Sequence, residues 1–225
     1  MPSYAALQER LGYQFVDEVM LERALRHRSA GKDNNERLEF LGDAVLSLII
    51  AEYLSERFPA AREGELSRMR STLVKGVTLA KLARELLLGD YILLGSGELK
   101  SGGHRRDSIL ADVVEALIGA IYTEAGFDEV RQCVRRWFAE RIEQIAPGEA
   151  LKDPKTRLQE FLQSKGVALP DYELVDQAGQ PHNQVFEVRC RTQLGGKSVT
   201  ASATSRKKAE QAAAQQMLDI LQGES

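Results

Sequence analysis

The stretch Ile109-Leu-Ala-Asp112-Val-Val-Glu115-Ala-Leu-Ile-Gly-Ala-Ile121 constrains this chain more than any other segment. It predicts a helix that is apolar on every side except at Asp112 and Glu115, and such a helix belongs in a protein core. Two carboxylates three residues apart share one helical face. Buried carboxylates need partners, and this segment supplies no lysine or arginine.

A second acidic set lies upstream, in Glu36-Arg-Leu-Glu39-Phe-Leu-Gly-Asp43. Glu36, Glu39 and Asp43, at i, i+3 and i+7, fall on one face of a helix. Like charges so placed repel by a few tenths of a kcal/mol per pair even when exposed. The flanking Leu38, Phe40, Leu41, Val45, Leu46, Leu48 and Ile49 are expected to leave little of this helix solvated. Two readings are open for such pairs: salt bridges to arginines elsewhere, such as Arg37, Arg68 or Arg70, or a shared divalent cation. Two pairs on two largely apolar helices favour the cation. All-oxygen ligands favour Mg²⁺, with Mn²⁺ as a substitute, over zinc. The three histidines, His27, His104 and His182, have no zinc-site spacing.

The helical pattern surrounds these segments up to Ala146-Pro147-Gly148-Glu149-Ala150, which reads as a break. Helical stretches are expected over Leu11–Arg26, Asn35–Phe58 (halted by Pro59), Glu65–Leu87, Ile109–Tyr122 (capped by Asp107 or Ser108) and Phe127–Ile145, with a loop over Gly95–Gly103. Beyond the break the periodicity changes. Asp153-Pro154 is an N-cap and first-turn proline for a helix to about Ser164. Alternating strands follow at Tyr172–Asp176, Gln184–Thr192 and Lys197–Thr204, with turns at Ala178–Pro181 and Gly195-Gly196, and then a helix from Arg206 to Leu221. The expected organisation is an all-α domain over residues 1–146, a linker over 147–152, and a small α+β domain, α-β-β-β-α with both helices on one face, over 153–223.

Charge does not decide function. The net charge is −3, and residues 151–225 carry ten cations against nine anions. No apolar run approaches the ~20 residues of a membrane span, and the start of the chain lacks the pattern of a secretion signal. Cys133 and Cys190 lie far apart, without metal-ligand spacing, and read as buried thiols of a cytoplasmic protein.

Local patterning is more telling. In Thr204-Ser-Arg206-Lys207-Lys208-Ala-Glu210 three cations crowd a helix start, where they oppose the helix dipole. They suit docked phosphates, and a solvated basic turn is the competing reading. Thr156, Gln159 and Gln163 share a polar face of the preceding helix and can meet 2′-hydroxyls. No aromatic platform for single-stranded bases is evident. Lys100, His104, Arg105 and Arg106 follow a Gly-rich loop that lacks the ending of a Walker motif.

Asn35-Glu-Arg-Leu-Glu-Phe-Leu-Gly-Asp43 and Asp112-Val-Val-Glu-Ala-Leu-Ile-Gly119 resemble the two acidic motifs of bacterial ribonuclease III. His27-Arg-Ser29, Glu63-Gly64, Lys100-Ser-Gly-Gly103 and the α-β-β-β-α module, which resembles a double-stranded-RNA-binding domain, extend the resemblance over essentially the whole chain. It implies a homodimeric endoribonuclease that hydrolyses phosphodiesters in double-stranded RNA, leaving 5′-phosphate and 3′-hydroxyl ends and processing ribosomal and other structured precursors. Glu39, Asp112 and Glu115 would hold Mg²⁺, Asp43 and Glu115 would be indispensable to catalysis, and Glu36 and Glu63 would line the valley between subunits. Thr156, Gln159, His182, Arg206, Lys207 and Lys208 would contact RNA, with no organic cofactor and no membrane involved. The chain departs from the pattern at Gly179-Gln180-Pro181, where Gly and Pro are often adjacent, and at Ala201 and Ala203, where glycines are common. The rival classes are a double-stranded-RNA binder without cleavage and a helical metal-dependent hydrolase of small nucleotides.

Overall fold

A computed structural model describes residues 3–147, 153–179 and 184–223. The chain divides into two compact units, Met1–Pro147 and Gly148–Ser225. Residues 148–152 of the expected linker lie outside the described residues.

The first unit is helical: α1 (Tyr4–Leu11), α2 (Glu18–Leu25), α3 (Glu36–Arg57), α4 (Glu63–Val74), α5 (Gly76–Glu85), α6 (Ser96–Lys100), α7 (Asp107–Ala125) and α8 (Phe127–Gln144). The apolar helix is central, as its composition demands. In α7, Ile109, Leu110, Val113, Val114, Leu117, Ile118 and Ile121 are all buried, each contributing roughly 1.5–3 kcal/mol. Around it pack α3, α5, α2 and α8, with α3 making the most extensive contact.

Four local expectations need correction. The helix expected over Leu11–Arg26 is confined to α2, because Gly12 adopts a left-handed conformation (φ 62°) that ends a separate helix, α1, at Leu11. Glu124 then holds the connecting segment, accepting from the Tyr13 hydroxyl at 2.5 Å and from the Val16 and Asp17 amides at 3.1 and 2.9 Å. Glu65–Leu87 is likewise interrupted. Lys75 is extended (φ −66°, ψ 145°) between α4 and α5, and the Thr78 hydroxyl donates to the Thr72 carbonyl across the bend at 2.8 Å. The apolar spacing runs on through this break, so periodicity alone does not reveal it. Finally, the Gly95–Gly103 loop contains α6, and Asp107 is the first residue of α7 rather than its cap. An acid in a first turn still complements the helix dipole.

The second unit consists of α9 (Pro154–Ser164), β1 (Asp171–Ala178), β2 (Val185–Arg191), β3 (Ser198–Ala203) and α10 (Arg206–Gly223). The strands form an antiparallel sheet in the order β1-β2-β3. Tyr172 pairs with Cys190 and Cys190 with Val199, and a register shift falls between Leu174 and Asp176. Leu158 and Leu162 from α9 meet Cys190, Ala201, Ala213, Met217 and Leu218 in one core. Ala201, where related domains often carry glycine, faces this core. Its methyl group therefore adds packing. Both cysteines are buried and free, as expected.

Candidate active site and nucleic-acid interface

The carboxylates meet because α3 and α7 pack backbone to backbone. A Cβ at Gly42 would lie 1.7 Å from the Glu115 carbonyl oxygen, and one at Gly119 would lie 2.1 Å from the Leu38 carbonyl oxygen. Only glycine permits so close an approach at these two positions. One turn before Gly42 stands Glu39, and Asp112 and Glu115 occupy the facing side of α7.

Glu39, Asp112 and Glu115 each offer an oxygen within 4.8 Å of the other two. All three are half-buried, whereas Asp43 and Glu36 are exposed. Among the described residues, no lysine or arginine forms a salt bridge to Glu39, Asp43, Asp112 or Glu115. Arg37, Arg68 and Arg70 therefore do not fill the role that a purely structural reading gives them.

The electrostatics follow from that convergence. Burial pushes Glu115 up to about 8, and the charges of Asp43, Glu39 and Asp112 add to the rise. Glu39 is raised by burial and then by Asp112 and Glu36, with Arg28 opposing. Asp112 is raised by burial, against the pull of His27 and Arg28. A half-buried, all-oxygen set that is only partly offset by His27 and Arg28 suits a hard divalent cation.

The pocket beside the cluster has a volume near 460 Å³, and His27, Arg28, Glu36, Glu98, Arg106 and Ser108 line it together with Glu39 and Asp112. Arg28 stands 3.7 Å from Glu36, and Arg106 stands 2.7 Å from Glu98. The His27 ring Nδ1 lies 2.8 Å from the Ser29 hydroxyl, and that oxygen accepts from the Gly95 amide at 3.0 Å. His27, Arg28 and Glu98 reach the site through these tertiary links, so helical spacing gives no sign of them. Glu63 is not part of the group. It is exposed on α4, where its carboxylate accepts from the Ser67 hydroxyl at 2.7 Å.

One face of α3 differs from expectation. Phe40 is 82% exposed and Leu48 57% exposed, so this chain leaves that face uncovered.

In the second unit, Gln159, Arg206, Lys207 and Lys208 are exposed, and Thr156 is half-buried. The Thr156 hydroxyl donates to the capping Asp153 carboxylate at 2.7 Å. Arg206 is not a free cation, because its Nε donates to Glu210 at 3.0 Å. His182 lies outside the described residues, as does the rest of the expected contact loop, residues 180–183.

Residues 17–142 match the family model described as Ribonuclease-III-like, and residues 154–221 match that of the double-stranded RNA binding motif. A protein of Histophilus somni named Ribonuclease 3 is 57% identical over 215 residues, 96% of each chain. One of the same name from Colwellia psychrerythraea is 53% identical over 220 residues, 98% of this chain and 83% of that one. The crystal structure of the nuclease domain of ribonuclease III from Campylobacter jejuni matches with a TM-score of 0.62 at 45% identity, covering 65% of this chain and 100% of that one. A second structure of that nuclease domain, which concerns flexibility in a region involved in dimer formation, has a TM-score of 0.61 at 44% identity, covering 63% of this chain and 99% of that one. No described helix is long and apolar enough to cross a membrane.

Proposed function

The chain belongs to the ribonuclease III family, and we propose that it cuts double-stranded RNA with Glu39, Asp112 and Glu115 holding Mg²⁺ or, in its place, Mn²⁺. As a member of that family it is a double-stranded-RNA-specific endoribonuclease. The observation that carries the site assignment is the convergence of these three half-buried carboxylates within 4.8 Å, with no salt bridge to any of them among the described residues. A divalent ion held there supplies Lewis acidity toward water and toward a phosphate oxygen.

The protein's own groups have distinct tasks in this proposal. Glu39 and Asp112 orient the ion. Glu115, the most strongly perturbed of the set, holds it and with Asp43 governs proton movement at the attacking and leaving oxygens. The exposed Asp43 contributes its charge to Glu115 from one helical turn beyond Glu39. Glu36 supports the set through Glu39 and Arg28. Hydrolysis leaves 5′-phosphate and 3′-hydroxyl ends. In the second unit, Thr156, Gln159, His182, Arg206, Lys207 and Lys208 contact the duplex, Arg206 with part of its charge already engaged.

The working unit in this reading is a homodimer. An exposed Phe40 and Leu48 on α3 are costly in water and suit a self-complementary interface. Glu63, remote from the cluster in its own chain, would line the valley shared with the partner. Ribosomal and other structured RNA precursors in the cytoplasm are the proposed substrates. The domain limits 1–146 and 153–223, with a linker over 147–152, complete the proposal.

The test uses purified protein and end-labelled duplex RNA. Cutting is expected with Mg²⁺, not with EDTA, and Glu115→Gln is expected to bind the duplex while failing to cut it. Binding by the wild type without cutting in either Mg²⁺ or Mn²⁺ would make the chain a binder only.

A further inference from the structure

A chain of polar contacts ties the start of α9 to the start of α10. Asp153 caps α9, accepting from the Thr156 amide at 3.2 Å and from its hydroxyl at 2.7 Å. The same carboxylate accepts from Gln211 Nε2 on α10 at 2.8 Å, and Gln211 Oε1 accepts from the Lys155 amide at 3.1 Å. Lys155 Nζ stands 2.7 Å from Glu210 Oε2 and 4.4 Å from the centre of the Tyr172 ring on β1. Glu210 Oε1 completes the chain by accepting from Arg206 Nε at 3.0 Å. The Glu210 side chain is only 15% exposed. Burial works to raise its pKa, but the contacts with Lys155 and Arg206 outweigh it and hold the carboxyl below its ordinary value.

By charge alone Glu210 is badly placed. An anion one turn from Lys207 and Lys208 weakens the attraction that phosphates feel there. It also engages Arg206, leaving Lys207 and Lys208 as the cations of this turn without a protein partner among the described residues. A residue that opposes binding by its charge yet is built into contacts with two helices points to a geometric task.

We infer that Glu210 is a positioning residue that, through Lys155 and Arg206, fixes the separation between the polar face of α9 and the basic start of α10 and so favours A-form RNA over B-form DNA. The two duplex forms differ in groove width and in the spacing of phosphates across the groove. Two contact surfaces can read that difference only if their own separation is held. The inference rests on the RNA contacts proposed above for Thr156, Gln159, Lys207 and Lys208.

The test measures binding of the full chain, in EDTA, to RNA and DNA duplexes of one sequence. Glu210→Gln is expected to bind RNA about tenfold more weakly and DNA no more weakly, although the protein has lost a negative charge. Lys155→Met, which breaks the same contact from α9, is expected to lower the ratio of RNA to DNA affinity by a similar factor. An unchanged ratio in both variants overturns the inference, whether both affinities fall through general damage or both rise through the change in charge. Neutralising Lys207 and Lys208 together is the separate control for the underlying reading. If RNA binding and its salt dependence survive that change, those contacts are wrong whatever Glu210 does; if they fall while Glu210→Gln leaves the ratio intact, only the positioning role is lost.

Discussion

Partly buried carboxylates stand at two helix contacts in this protein, in opposite company. At the α3–α7 contact, Glu39, Asp112 and Glu115 converge on one another, and burial together with mutual repulsion drives Glu115 up to about 8. At the α9–α10 contact, Glu210 is also largely shielded from water, but Lys155 and Arg206 stand at 2.7 and 3.0 Å and hold it ionised. The first arrangement has no ion-pair partner among the described residues, only the more distant pull of His27 and Arg28, and gains a counter-charge when a cation binds; the second already has its partners. Charge counting does not separate them. Partners do.

The largest effect that would break this contrast comes from the backbone. Gly42→Ala places a methyl group 1.7 Å from the Glu115 carbonyl oxygen, and α3 and α7 must separate to admit it. A loss of about 3 kcal/mol or more in chemical denaturation is expected, with cleavage falling as the carboxylates part. Wild-type stability in that variant would mean that glycine contact does not set the site.

A smaller effect sharpens the electrostatic half of the contrast. The folded pKa of Glu115 lies above its ordinary 4.5, so its protonated form favours folding fully below about that value, and this contribution is lost as pH rises through about 8. Metal-free protein at pH 8 therefore carries Glu115 about half ionised, at some expense of stability. Glu115→Gln is expected to stabilise it by roughly 1–3 kcal/mol, after allowance for solvent screening of a partly exposed group. The gain should shrink toward pH 5 and also when Mg²⁺ is added to both proteins. Calorimetric melting across that pH range with EDTA measures it, and a destabilised variant at pH 8 would count against mutual repulsion.

The smallest expected effect has the opposite sign. Glu210→Gln should destabilise the second unit by about 0.5–1 kcal/mol at pH 7, the scale of a partly screened ion pair. Its folded pKa is depressed, so this contribution is present above the ordinary carboxylate value and is lost as pH falls through the folded one. The same amide substitution thus stabilises one region and weakens the other.

Much of this was open to inference from residue order. An apolar helix interrupted only by Asp112 and Glu115 had to be both central and in need of a counter-charge, and the i, i+3, i+7 spacing put Glu36, Glu39 and Asp43 on one side of α3. The strand alternation and the Asp153-Pro154 start announced the second unit in the same way. What escaped depends on contacts between elements. Gly42 and Gly119 matter through each other's backbone, and nothing within either helix requires them. The breaks at Gly12 and Lys75 interrupt apolar patterns that continue on both sides. Phe40 counts as a core residue by type, yet its face of α3 is bare in a single chain. Arg206 reads as a free cation until Glu210, one turn on, is seen to engage it.

Cation binding tests the contrast most directly. Mn²⁺ titrated into metal-free wild type, Glu115→Gln and Glu210→Gln at pH 7 can be followed by the loss of the free-ion resonance. The wild type and Glu210→Gln should bind alike, while Glu115→Gln should bind more than about 100-fold more weakly, beyond the loss typical of removing only a supporting partner. Equal binding by wild type and Glu115→Gln would contradict the account, because the converging carboxylates would then not be what holds the metal.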